Sequence, residues 1–386
     1  MLYDFPMFGG GSGAYVKYLA LRLKSAYHYS LAIAAPESEE FDPKITLYPI
    51  KVPQIPVFVG RPGLEKSKKY SDLTPVEIAS LYDAYMEGTL KAVVEFKPDI
   101  IHVHHAMVNA WAARFVRSMY GVKLIITSHG SDLHAISRDR RYFRLTRDAL
   151  WAANAVTVVS GDTRAKLLKM FGDSVSGKLR TIPGGIRLSL FPAKRQAIPL
   201  KKKYGFEGQK VALFTGRLIS EKGVEYLVKA AKDIKGSVMI AGDGPQRKHL
   251  EEMVKAMKLT NVHMLPFIHN YKEIIELYYM ADVFVSPAVW DEPLGLTIIE
   301  AMAAKTPVIV TRKGGVTMAV KDGISGLFVR PRSAKEIAAS VNKLFANDGQ
   351  RQRMGERARS IVEARFTWTH IAQRFDKLYR DVYLYR

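Results

Sequence analysis

An α/β fold of two parallel-sheet domains is predicted by three observations. Short apolar runs alternate with helix-period patterns from about Tyr29 onward, which is the rhythm of parallel strands joined by crossover helices. That rhythm is interrupted between Ile182 and Lys203, where Pro183, Gly184, Gly185, Pro192 and Pro199 break regular structure. The chain of 386 residues also exceeds one ordinary core and fits two domains of about 180 residues each.

The first half is expected to place strands at 31–34, 100–103, 124–127 and 156–159. The second is expected to place them at 211–214, 238–241, 262–265, 283–285 and 308–310. Both halves read as Rossmann-like, and open parallel sheets bind ligands at the carboxyl ends of their strands. Only Leu2 to Phe5 precede Pro6, so the first strand is expected to be truncated or very short.

Composition narrows the class. Hydrophobic residues at 48% exclude wholesale disorder. No apolar run approaches ~18 residues, so no transmembrane helix is expected, and the N-terminus lacks a signal-peptide pattern. A cytoplasmic protein is the expectation. The absence of cysteine forbids disulfides and thiolate metal sites. A charge of +21 must attract something anionic, whether nucleotide, phosphorylated acceptor, acidic lipid or nucleic acid. Arg138, Arg140, Arg141, Arg144 and Arg147 crowd one expected helix, with Tyr142, Phe143 and Leu145 interleaved. Lys194, Arg195, Lys201, Lys202 and Lys203 flank the linker. Each cluster is either a solvated face or a patch for a membrane surface or phosphorylated acceptor.

The stretch SPAVWDEPLGLTIIEAMAAKTPVIVTRKGG around residue 290 carries the most chemistry. Glu292 falls in the loop after a strand, and Glu300 inside a helix expected over 297–304. With Pro293 shaping the loop, the N–H groups of Gly295, Leu296 and Thr297 point outward from a helix N-terminus, a good seat for phosphate. A sugar nucleotide needs this combination: an acceptor for ribose hydroxyls, donors for the diphosphate, and a carboxylate beside the sugar.

With Glu292, Pro293, Gly295, Glu300 and Ala301 followed by Pro307-Val-Ile and Gly314-Gly315, the chain resembles the retaining nucleotide-sugar glycosyltransferases of glycosyltransferase family 4. The resemblance covers nearly the whole chain and implies the GT-B fold, two Rossmann-like domains facing across a cleft. On that reading, residues 1–190 form the acceptor-binding domain and 191–366 the nucleotide-sugar-binding domain. Residues 367–386 then form a helix crossing back to the first, with Ile371, Phe375, Leu378 and Val382 at helical spacing.

Gly9, Gly10, Gly11 and Gly13 precede a helical pattern and suit close approach to phosphate, or form a plain flexible turn. The resemblance assigns Gly10 and Gly11 a place beside the donor phosphates or the acceptor. His102, His104 and His105 end one strand, and His129 and Asp132 follow the next. Carboxylate partners are too few for a metal site, so none is expected. The resemblance makes His129 the histidine facing the donor sugar, with His104, His105 and Asp132 toward the acceptor. Gly216, Arg217 and Lys222 follow the first strand of the second domain, a planar fork and a point charge suited to two different phosphates. Gly242 and Gly244 form a tight turn that the resemblance places near the nucleotide. Arg187 stands in Pro-Gly-Gly-Ile-Arg, where the family carries an acid.

The expected activity is retaining hexosyl transfer from a UDP-, GDP- or ADP-sugar to an acceptor hydroxyl, with no cofactor or metal. Arg217, Lys222, Glu292 and His129 are the expected catalytic residues. The acceptor is a sugar, a lipid-linked group or a phosphorylated molecule. Peripheral contact with an acidic membrane is expected, and specific nucleic-acid binding is not. Two rivals remain: a nucleotide-sugar epimerase of the same architecture, and a basic nucleic-acid-binding protein. Residues 36–75, with Tyr48, Val57 and Phe58, are where acceptor choice is expected to be set.

Overall fold

A computed structural model describes residues 1–7, 11–36, 42–53, 68–193 and 198–384. The described residues up to Gly185 cluster with Trp368 and those after it into one compact unit, and Ile186–Thr367 form a second. Gly10, Val57, Phe58, Lys194 and Arg195 lie outside the described residues.

In the first unit the strands are β1 (Leu2–Tyr3), β2 (Ala32–Pro36), β3 (Thr46–Ile50), β4 (Ile100–His104), β5 (Lys123–Ser128), β6 (Ala155–Val158) and β7 (Leu179–Thr181). They pair in parallel in the order β3-β2-β1-β4-β5-β6-β7. Although only two residues long, β1 is central: Leu2 and Tyr3 sit in register with Val103 and His104. The last helix, Trp368–Leu384, belongs to this unit and packs on the helix Gly11–Tyr27, with the Tyr15 ring 5.2 Å edge-on to Trp368.

The second unit contains β8 (Val211–Thr215), β9 (Ser237–Ala241), β10 (Val262–Leu265), β11 (Val283–Ser286), β12 (Val308–Thr311) and β13 (Gly326–Val329). Their order is β10-β9-β8-β11-β12-β13, again parallel. Each chain segment therefore builds outward from its first strand and then returns to that strand's other side. The reversal opens a crevice between β1 and β4 in one sheet and between β8 and β11 in the other, where open α/β sheets hold ligands.

The apolar runs form strands because helices cover both sheet faces. β8, β11 and β12 are buried along their whole length. Three strands escaped the sequence reading, and all three are edges. β3 is half exposed and carries Pro49, β7 is three residues with Arg180 inside, and β13 opens on glycine. An edge strand needs no continuous apolar run, and a proline is tolerated there.

The arginine cluster does not form one helix. Arg138 ends the helix Ser131–Arg138, Arg140 and Arg141 lie in the 3-10 turn Arg140–Tyr142, and Arg144 and Arg147 belong to the helix Phe143–Ala152. Asp139 causes the break. Its extended backbone stops the first helix, and its carboxylate accepts from the Arg141 N–H at 3.0 Å. Tyr48 lies in β3 and packs on the first unit's core. Among the described residues, no helix is long and apolar enough to cross a membrane.

Candidate active site

At the β8–β11 crevice, three loops are locked together by backbone contacts. After β8, Gly216 N–H donates to Ala241 C=O at 3.1 Å and Leu218 N–H to Asp243 C=O at 2.8 Å, which lays the β8 loop along the β9 loop. A Cβ at Gly242 would stand 1.9 Å from the Gly216 carbonyl oxygen. Gly244 is similarly close to Leu218. These two glycines let the loops touch, so their first role is packing. From the other side, Val289 N–H donates to Glu221 C=O at 3.0 Å, tying the β8 loop to the β11 loop.

This arrangement brings Lys222 to Glu292. The Lys222 ammonium donates to Glu292 Oε2 at 2.5 Å, and Trp290 Nε1–H donates to the same oxygen at 3.2 Å. Both charged side chains are mostly covered, at 18% and 12% exposed. The Glu292 backbone is held in turn by Gly314 and Gly315: Glu292 bridges Gly314, and its C=O accepts from Gly315 N–H at 2.7 Å. Gly314 has φ +69°, and a Cβ there would lie 2.4 Å from the Glu292 carbonyl oxygen. The Gly-Gly pair after β12 therefore fixes the position of Glu292. Arg217 is half-buried on the β8 loop. Burial lowers its pKa, while the charges of Glu292 and Glu221 raise it, so the guanidinium stays charged beside those carboxylates.

Past Pro293, Gly295 (φ +79°) caps the helix Leu296–Ala303, whose bonding starts with Ile298 N–H donating to Gly295 C=O at 3.0 Å. The amides of Gly295, Leu296 and Thr297 precede the first intrahelical bond, as expected at a helix N-terminus. In the next turn, Glu300 accepts from Tyr271 Oη–H on Oε1 and from Tyr278 Oη–H on Oε2, both at 2.8 Å. Tyr278 Oη also bonds Thr215 Oγ1 at 2.8 Å, at the end of β8. Burial raises the Glu300 pKa, and the two tyrosine hydroxyls partly offset it.

The tyrosines were missed in the sequence. Their spacing of seven on the helix Tyr271–Met280 puts both on one face, and that was the available signal.

In the first unit, His104 at the end of β4 meets His129 after β5, with His104 Nδ1 and His129 Nε2 sharing a hydrogen bond at 3.2 Å. His102 bonds Tyr379 Oη and Thr127 Oγ1, each at 2.6 Å, and its ring lies 4.2 Å from that of His104. His105 adopts φ +77° and sits edge-on to His129 at 4.7 Å. All four imidazoles are buried, and burial holds them neutral: His102 falls to about 3, His105 to about 4, and His104 and His129 well below the usual value. Among the described residues, no group of three metal-ligating side chains is arranged to hold an ion.

Asp132 is occupied by protein. Oδ1 accepts from Ser128 Oγ–H and from the Gly130 and Leu133 amides, and Oδ2 from the Ala106 amide at 2.8 Å. It staples the β4 loop to the β5 loop. Asp4, after β1, was also missed; burial first and the Asp132 charge second push its pKa well up. Gly11 opens the helix Gly11–Tyr27 and is exposed, as is Arg187 in the second unit.

Residues 9–190 match the family described as Glycosyltransferase Family 4, and residues 198–361 match Glycosyl transferases group 1. The chain is 27% identical over 312 residues to the N-acetyl-alpha-D-glucosaminyl L-malate synthase of Bacillus anthracis, spanning 78% of this chain and 80% of that protein. It is 28% identical to the alpha-maltose-1-phosphate synthase of Mycobacterium tuberculosis, spanning 73% and 79%. Its fold is similar to that of sucrose-phosphate synthase from Thermosynechococcus elongatus, with TM-score 0.84, 22% identity and 99% of both chains covered. It is also similar to Anabaena HepE solved with UDP-glucose, with TM-score 0.72 and 18% identity, covering 99% and 100% of the two chains.

Proposed function

Because the chain belongs to glycosyltransferase family 4 and has the GT-B fold, we propose that this glycosyltransferase moves a hexosyl unit from a nucleoside diphosphate sugar to an acceptor hydroxyl, with retention and without a metal. The observation that carries the reading is the set of Arg217, Lys222 and Glu292 gathered at the β8–β11 crevice. The relative solved with UDP-glucose supports such a donor.

As the bond from the anomeric carbon to the diphosphate breaks, negative charge grows on the leaving oxygen. Arg217, Lys222 and the amides of Gly295 to Thr297 offset it. Lys222 and Trp290 occupy Glu292 Oε2, which leaves Oε1 for the sugar hydroxyls or for the positive character at the anomeric carbon. Each Glu300 oxygen accepts one tyrosine hydroxyl and keeps a second lone-pair direction for the ribose hydroxyls. His129, held neutral, serves as a hydrogen-bonding group toward the sugar rather than as a base. The acceptor oxygen bonds the anomeric carbon on the face the diphosphate leaves, and the acceptor proton passes to the departing phosphate oxygen.

Acceptors of sugar, lipid-linked or phosphorylated type, a cytoplasmic setting and peripheral contact with an acidic membrane belong to the same proposal. The test is product analysis with UDP-, GDP- and ADP-hexoses in EDTA. Nucleoside diphosphate and a retained anomer, formed in proportion to an added acceptor, support transfer. An altered nucleotide sugar formed without acceptor identifies an epimerase instead.

A further inference from the structure

Two packed helices of the first unit, Val108–Tyr120 and Phe143–Ala152, carry a surface that nothing in the transfer chemistry uses. The helices are joined by Trp111 Nε1–H donating to Thr146 Oγ1 at 3.0 Å. Their outer sides hold Phe115, Met119 and Tyr120 on one helix and Leu145 and Trp151 on the other, each 44% to 60% exposed. Scattered exposed apolar side chains need no explanation, but these five are nearly half of the eleven large hydrophobics most open to solvent among the described residues. Phe115 and Met119 are four apart and share one helix face.

Charge accompanies them. Between residues 108 and 152 there are eight Lys and Arg against three Asp. Asp132 is buried in its own loop, and Asp139 and Asp148 pair with Arg141 and Arg147. Among the described residues no carboxylate forms an ion pair with Arg114, Arg117, Arg140 or Arg144. The cations also cover aromatic rings: Arg140 lies 4.0 Å over Phe143, and Arg147 lies 4.6 Å over Trp151.

We propose that this two-helix face docks on an anionic lipid bilayer, with Phe115, Met119 and Trp151 entering the interface and the arginines meeting the headgroups. Trp, Phe and Tyr at headgroup depth with flanking arginine is the composition that such an interface selects. A second copy of the chain is disfavoured because two such faces carry the same charge, in a protein whose net charge is +21. The inference deepens the membrane contact proposed above and rests on it. Donor and acceptor play no part in the assay, so its failure leaves the transfer reading standing.

The experiment is co-sedimentation of the full chain with vesicles of phosphatidylcholine alone and of equal phosphatidylcholine and phosphatidylglycerol. The expected result is binding to the mixed vesicles only, weakened by salt. Arg140→Gln with Arg144→Gln should lower the partition coefficient roughly thirtyfold. Phe115→Ser with Met119→Ser should lower it by about tenfold or more. Unchanged thermal unfolding and nucleotide binding identify folded variants. No sedimentation with mixed vesicles, or binding that neither variant alters, overturns the proposal. So does light scattering that finds a dimer split by Phe115→Ser with Met119→Ser while vesicles are ignored.

Discussion

Lys222 and Glu292 form a mostly covered ion pair at the carboxyl ends of adjacent strands, 2.5 Å from ammonium to Oε2, with Trp290 on the same oxygen. Seventy positions separate them in sequence. Each charge neutralises the other, and in the proposed mechanism each also serves the ligand.

Removing one partner should harm more than its own contact with substrate. Lys222→Met and Glu292→Gln should each lower kcat/KM by about a hundredfold or more. The double variant should lose much less than the product, with a coupling of about 1 to 3 kcal/mol. Steady-state kinetics on the four proteins measure this. Simple multiplication of the losses would show that the pair is not a unit.

The Glu300 carboxylate should give nucleotide binding a pH dependence at the acid end. Its pKa is raised above 4.5 by burial, so the free protein takes up this proton at a higher pH than an ordinary glutamate does. In the proposed mechanism the ribose hydroxyls donate to this carboxylate, and a charge-assisted bond is stronger than one to the neutral acid, so affinity should fall as pH drops through the window above 4.5. Tyr278 donates to Glu300 and lowers that pKa, so Tyr278→Phe should move the loss to higher pH. Calorimetric Kd values from about pH 8 to about pH 5 read the shift. A move to lower pH, or none, contradicts this role.

The buried histidines should make the fold acid-sensitive. For each, the folded pKa lies below the unfolded value of 6.5, so its contribution is full above 6.5 and is lost as pH falls toward the folded value. For His102, at about 3 when folded, the loss from about pH 7.5 to about pH 5 is roughly 2 kcal/mol. Urea unfolding at the two pH values should show His102→Gln with a smaller drop by about that amount, whatever its absolute stability. An unchanged drop would mean that His102 titrates normally in the fold.

Gly314→Ala and Gly323→Ala form a matched pair. Both positions have φ near +70°, so both substitutions carry left-handed strain of about 1 to 2 kcal/mol. Only at position 314 would the new methyl meet Glu292, 2.4 Å from its carbonyl oxygen, whereas the space at 323 is open. The melting temperature should fall further for Gly314→Ala, whose methyl must also displace backbone at Glu292, and kcat/KM should drop tenfold or more only for that variant. Equal activity losses would show that the Gly-Gly turn does not position Glu292.

The central strands were legible because burial on both faces demands continuous apolar runs such as Val211 to Phe214 and Val308 to Val310. The edges β3 and β7 were not, because partly exposed strands carry residues such as Pro49 and Arg180 that also suit loops, and β13 was not because it is only four residues long and opens on glycine. The grouping of Glu292, Gly295 and Glu300 was readable because they lie within one continuous loop-and-helix stretch. What orients them was not, since Tyr278 and Gly314 reach the site from a different helix and a different strand. Asp132 illustrates the reverse. A carboxylate beside a histidine reads as a ligand contact in sequence, yet four protein donors already use it.

The most direct measurement is calorimetric titration of the chain with UDP, GDP and ADP, in EDTA, alongside Arg217→Ala and Arg217→Lys. Micromolar binding of one nucleotide is expected, lost in Arg217→Ala and poorly restored by lysine, which lacks the planar fork. Failure of the folded protein to bind any of the three, or equal binding by Arg217→Ala, would contradict a nucleotide-sugar site at the β8–β11 crevice.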